Sequence, residues 1–246
     1  MNTATLTAQP TQATATAARF DMYQPIHKGL RNFLCDTLSR VGRVDVFDVQ
    51  DLARTLAQLE ALLGFCTQHL AHEDVFLHTA IAARVPGGAG RTVDDHAEHL
   101  HSIEALRGEA RALLAAPDCE RMTLALRLYR HLALFVAENL QHMHIEETAN
   151  NALLWAHYSD AELVEIHDRL LVTIAPAENM EVLRWMLPAL NPVQRAGLLG
   201  EMKAHAPAPV FDAVIDLVRP QLDIRDWTKL ASAIGVAQQA GLVNYP

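Results

Sequence analysis

Apolar residues recur at intervals of three and four almost throughout the chain, and no alternating run bounded by hairpin chemistry interrupts them. That periodicity predicts an all-α protein. A first helix is expected from Gln24-Pro25, where proline suits the first helical position, to about Arg40. Leu30, Leu34 and Leu38 form its inner stripe, and His27 shares it. A second helix is expected from Asp48 towards Arg84, with Leu52, Leu59, Leu62, Cys66, Phe76 and Ala80 on one face and His69 and Glu73 in step. Pro86-Gly87-Gly88-Ala89-Gly90 breaks the pattern, and Thr92 with Asp95 reads as a cap and its acidic partner opening a third helix. The third helix places Val93, Ile103, Leu106, Ala110 and Leu113 inward, in phase with His96 and His99. After the turn at Pro117-Asp118 a fourth helix runs to about Ala156, with Leu128, Leu132, Phe135, Ala149 and Leu153 on its stripe and His142 and Glu146 in register.

Four long amphipathic helices joined by short turns imply antiparallel neighbours, so residues 21–157 are expected to form an up-down four-helix bundle. Beyond Tyr158 the helices shorten and prolines punctuate them, which marks residues 158–246 as a separate C-terminal helical extension. Its helices are expected near 160–174, opened by a Ser159/Glu162 capping box, and near 178–187, 192–204, 209–218 and 225–235. Residues 1–20, rich in Thr and Ala without a basic start or an apolar core, read as a disordered tail and not a signal peptide.

The chemistry lies in a repeated spacing. His69-Leu70-Ala71-His72-Glu73-Asp74 and His142-Met143-His144-Ile145-Glu146-Glu147 share the form H-x-x-x-E-[D/E]. Residues four apart project from one helical face, so each segment offers an imidazole nitrogen and a carboxylate oxygen to one point in the bundle. His96 and His99, three apart, add a further pair, and His27 adds one ligand from the first helix. The candidate metal ligands are therefore His27, His69, Glu73, His96, His99, His142 and Glu146, enough for two metal ions with a position left open. The two carboxylates offset half the charge of two divalent ions, and a bridging oxide or hydroxide offsets more. His72, His78, His101, His131 and His144 fall off the inner stripe and are expected to be structural or to support the ligands, as are Asp74 and Glu147.

Composition narrows the setting. The chain has 20 Lys+Arg against 29 Asp+Glu, a formal charge of −9, which excludes the basic footprint of a nucleic-acid binder. Of its 13 histidines, 12 fall between His27 and His167. The three cysteines, Cys35, Cys66 and Cys119, are far apart and outside Cys-x-x-Cys spacing, which argues against disulfides and thiolate zinc. No apolar run approaches the roughly 20 residues of a membrane span, so a soluble, cytoplasmic protein without membrane partners is expected.

These residues resemble the hemerythrin-like, or HHE cation-binding, family. The resemblance covers about residues 21–157 and rests on Tyr23-Gln24-Pro25-Ile26-His27-Lys28-Gly29-Leu30-Arg31, both H-x-x-x-E segments and the third-helix histidine pair. It implies a four-helix bundle with a non-haem di-iron centre that binds or senses oxygen, nitric oxide, peroxide or iron supply. Zinc and manganese remain open on donor type alone. The spacing of His142 and Glu146 matches the broader family, where the oxygen carriers use one residue more. His96 and His99 are three apart where the oxygen carriers use four, which leaves open whether one or both coordinate. Leu183-Arg184-Trp185-Met186-Leu187-Pro188-Ala189-Leu190 resembles the tail found in some members, with docking of a partner, self-association or bundle support as its expected use.

Other chemistries fail on spacing. A zinc peptidase needs H-E-x-x-H, and His72-Glu73 has its next histidine only at 78. A ferritin-like site needs two Glu-x-x-His units, and Glu98-x-x-His101 has no mate. Bis-histidine haem leaves Glu73 and Glu146 without a role. The leading expectation is a protein that binds or senses a small ligand and does not turn over a carbon substrate. A di-iron peroxidase or oxidase needs the same ligands and stays open as an alternative, as does a metal-responsive interaction protein using the C-terminal helices.

Overall fold

The computed structural model describes residues 19–236, and every regular element in that range is helical. Residues 1–18 of the expected tail and 237–246 of the extension lie outside the described residues. Helix α1 spans Gln24–Gly42 with Pro25 in its first turn. Helix α2, Val49–His72, is opened by Asp48, whose carboxylate accepts the backbone N–H groups of Gln50 and Asp51. It continues through a π-helical segment, Glu73–His78, into α3, Thr79–Arg84. Helix α4 spans Gly90–Ala115. Helix α5, Asp118–Ile145, likewise passes through a π-helical segment, Glu146–Asn150, into α6, Asn151–His157.

The π segments were not expected, and they shift the inner face. A π turn closes i to i+5 and so inserts an extra residue, which rotates everything after it. Downstream of Glu146 the expected Ala149 is exposed and Leu153 half-buried, and Asn150, Asn151 and Leu154 are buried instead. Downstream of Glu73, Leu77, His78 and Ile81 are buried beside Ala80, and Phe76 is only half-buried. The start of α4 also differs from expectation. It begins two residues before Thr92, with Ala89 at the cap and no side-chain capping bond. Thr92 is buried with its hydroxyl 3.0 Å from the Ala89 carbonyl, whereas Val93 is exposed. Asp95 is then free to serve another helix.

Helices α1, α2, α4 and α5 contact one another in a closed cycle. Two apolar cores fill it at different levels. One contains Leu30, Phe33, Leu62, Ile103, Leu132 and Phe135, and the other Met22, Tyr23, Leu77, Ile81, Ala89 and Leu154. On α1 the order is Tyr23, His27, Leu30. From α2 into α3 it is Cys66, His69, Glu73, Leu77. Into and along α4 it is Ala89, His96, Ile103, and from α5 into α6 it is Phe135, His142, Glu146, Leu154. Every helix thus places its polar residues between the two cores.

The C-terminal helices are α7, Asp160–Leu171; α8, Pro176–Ala189; α9, Pro192–His205; α10, Ala208–Val218; and α11, Ile224–Ile234. The Ser159/Glu162 capping box is present, and Asn191 with Gln194 forms a second. Helix α7 adds Leu163 and Ile166 to the core of Met22, Tyr23 and Leu154, whereas α8 to α11 build a core of their own from Leu187, Leu199, Val214, Val218, Trp227 and Leu230. This unit seats on α1: Trp185 stacks on Phe33 at 3.9 Å between ring centroids, and a Cβ at Gly29 would lie 2.8 Å from Met186 Cα. Glycine is what lets α8 approach the helix that carries His27.

Candidate metal centre

Six of the seven expected ligands converge between the two cores. Ligand atoms of Glu73, His96, His142 and Glu146 all lie within 4.8 Å of one another, as do those of His27, His69 and Glu73. Glu73 belongs to both groups. Its Oε1 lies 3.4 Å from His27 Nε2 and 3.3 Å from His69 Nε2, and its Oε2 lies 3.5 Å from His96 Nε2. Glu146 does the converse, with Oε1 at 3.3 Å from His142 Nε2 and 3.7 Å from His96 Nε2, and Oε2 at 3.5 Å from His27 Nε2. Each carboxylate therefore presents one oxygen to either half of the cluster.

His99, the seventh, stands apart. It is buried, its ring centroid is 4.9 Å from that of His142, and its Nδ1 has no hydrogen-bond partner. Among the histidines expected off the stripe, His101 and His144 are exposed, His72 faces Glu178 of α8 at 3.6 Å, and His131 faces Glu109 at 3.5 Å. His78 corrects the expectation. Simple helical phase turns it outward, but the π segment turns it in, where it is buried at the edge of the cluster.

An outer ring of carboxylates fixes the imidazoles. His27 Nδ1 lies 3.1 Å from Glu147 Oε1, His96 Nδ1 2.8 Å from Asp74 Oδ1, and His142 Nδ1 3.2 Å from Asp95 Oδ2. A carboxylate only accepts, so each Nδ1 carries the hydrogen and, in the neutral ring, Nε2 keeps its lone pair for the interior. Arg31 holds Glu147 in place with two hydrogen bonds, at 2.6 and 2.9 Å. The acid immediately after each inner glutamate thus orients a histidine on a different helix. Asp74 and Glu147 were expected as such supports. Asp95 was not, since its position three residues after Thr92 reads as a helix cap.

The centre holds orphaned polar atoms. Both oxygens of Glu146, Oε2 of Glu73 and Nε2 of His69 are buried with no hydrogen-bond partner. Buried carboxylate left this way costs several kcal/mol unless a cation neutralises it. An imidazole and carboxylate donor set with unpartnered inward atoms fits one or more divalent metal ions. In the metal-free protein, protons do part of that work. Burial lowers the His27 pKa, but hydrogen bonds to Glu147 and Glu73 overcome it and raise it to about 9. His96 is likewise raised against burial, by Glu146 and Glu73, to about 10. Burial dominates at His69, which falls to about 4, and burial with the neighbouring His142 and His96 does the same to His99. Burial opposes ionisation of Glu73, yet the surrounding imidazoles hold its carboxyl well below the usual range.

A cavity of about 130 Å³ between α4 and α5 reaches the cluster, lined by Asp95, Glu98, His99, Glu138 and His142 among others. No helix among the described residues is long and apolar enough to cross a membrane. No protein-family model matches the chain, and no curated protein or solved structure matches it.

Proposed function

We propose that this chain is a hemerythrin-like protein that holds two iron ions and binds or senses dioxygen or a related small ligand such as nitric oxide or peroxide. The observation that carries the reading is the pair of buried glutamates, each with one oxygen facing either half of an imidazole ring and with inward oxygens that nothing else satisfies. His27 and His69 belong to one half, His96 and His142 to the other, with Glu73 and Glu146 shared. Iron bound there supplies the redox chemistry and the open position that a diatomic molecule needs. The residues of the chain do the rest. Glu147, Asp74 and Asp95 fix the tautomer and orientation of three imidazoles. The two apolar cores exclude bulk water from either side. The cavity of about 130 Å³ beside His142 has room for a small ligand next to the cluster.

The same reading takes residues 21–157 as an antiparallel up-down bundle. The order of the two cores reverses from each long helix to the next, which supports it. The expected extension from residue 158 is then an appended helical unit, with α7 packed on the end of the bundle and α8 braced on α1. A cytoplasmic setting fits the three free cysteines, two of them exposed.

Air admitted to anaerobically iron-loaded protein tests the ligand. New ligand-to-iron charge-transfer absorption that disappears on deoxygenation is the expected result. An optical spectrum unchanged by air would overturn the oxygen reading.

A further inference from the structure

We propose that His78, and not His99, completes the histidine set of the metal centre, an inference that rests on the metal-binding reading above. Three imidazole nitrogens surround one carboxylate oxygen: Nε2 of His142, His96 and His78 lie 3.3, 3.7 and 4.0 Å from Glu146 Oε1. The ring of His78 also packs on that of His96, with centroids 4.6 Å apart.

The backbone supplies the reason. Across an α turn, His69 and Glu73 share a face at a separation of four. Across the π turn just beyond, i and i+5 come into register, and the residue five beyond Glu73 is His78. One continuous helical rod thereby delivers His69, Glu73 and His78 to the same place.

His78 is also held as His27, His96 and His142 are. Its Nδ1 lies 2.9 Å from Asp74 Oδ1, the oxygen that holds His96 Nδ1 at 2.8 Å. The histidines that face Glu146 through Nε2 are His27, His78, His96 and His142, and each has its Nδ1 on an outer carboxylate. His78 belongs to a group of donor atoms lying within 4.8 Å of one another, with Asp74 and His96, whereas His99 belongs to no such group among the described residues.

His78 Nε2 rests 3.0 Å from Thr92 Oγ1, a contact it gives up on taking a metal. Thr92 does not become an unsatisfied buried group, because its one hydroxyl hydrogen then goes to the Ala89 carbonyl, 3.0 Å away, while the oxygen accepts from Asn150 Nδ2 at 3.1 Å. The exchange therefore leaves no orphan behind.

Ferrous iron, added anaerobically to the full chain and counted after gel filtration, tests the assignment. Wild type is expected to hold about two ions, as a dinuclear bundle site does. His78→Ala should fall to about one, and His99→Ala should stay near two. Free imidazole should restore the lost ion to His78→Ala, a rescue that a structural defect does not give. His78→Gln, closer in volume and still able to hydrogen-bond, guards against misfolding: it should keep its helicity and still lose the ion. A folded His78→Gln that keeps both ions, or a His99→Ala that loses one, overturns the proposal while leaving the metal centre standing. A wild-type chain that takes up no metal overturns the metal reading itself.

Discussion

Glu146→Ala should abolish stable loading of both halves of the centre in a single step. Oε1 of Glu146 faces His142 and His96, and Oε2 faces His27, so its loss removes a shared anionic donor from each half. It also leaves His27 and His96, raised to about 9 and about 10 in the metal-free protein, with one fewer carboxylate to hold their protons. Loss of a supporting partner to a metal ligand costs on the order of 10–100-fold in affinity, and loss of a shared ligand exceeds that. Glu147→Ala supplies the graded comparison, because it removes only the group that orients His27. Iron content after anaerobic loading should therefore fall from wild type through Glu147→Ala to near zero in Glu146→Ala, with helicity retained by circular dichroism. Equal iron in wild type and Glu146→Ala would mean that the inner glutamates are not ligands.

Stripping the metal should lower the melting temperature and make stability strongly pH-dependent. At free metal a thousandfold above Kd, binding adds about 4 kcal/mol of stability. In a chain of this size that is roughly 8–16 °C. The pH dependence of the stripped protein arises from its histidines. His27 and His96 bind protons more tightly folded than unfolded, so their contribution is fully present below the unfolded value of 6.5 and is lost as pH rises through about 9 and about 10. His69 and His99, lowered to about 4, bind protons more weakly when folded, so they destabilise as pH falls below 6.5. The stripped protein should be most stable near pH 6.5. Ligating imidazoles are neutral whatever the pH in this range, so the loaded protein escapes the alkaline loss. The gap between loaded and stripped melting temperatures should widen from pH 6.5 to 9 in thermal scans, and parallel curves would contradict the account.

Much of the centre is written in local spacing. His69/Glu73 and His142/Glu146 are four-apart pairs within α-helix up to the glutamate, so simple periodicity puts each pair on one face. Helix boundaries marked by side-chain caps, such as Ser159 with Glu162, are equally legible. The backbone just beyond each glutamate is not. Neither Glu73-Asp74-Val75 nor Glu146-Glu147-Thr148 contains the glycine or proline that usually announces a break, yet both open a π segment. The resulting rotation is why Ala149 is exposed, Leu154 takes the place of Leu153 in the core, and His78 turns inward.

Which histidine each outer carboxylate holds is illegible for a different reason. Glu147 meets His27 across 120 positions of sequence, and Asp95 meets His142 across 47. Such pairings exist only once the helices are packed. Asp95 illustrates the ambiguity, since an acid near a helix start is as good a cap partner as a support for a ligand on the next helix.

The most direct test is the metal content of the full chain, measured by elemental analysis after anaerobic reconstitution with ferrous iron and removal of excess. The account predicts about two iron ions per chain. A chain that takes no iron and instead retains a tightly bound zinc ion would contradict it.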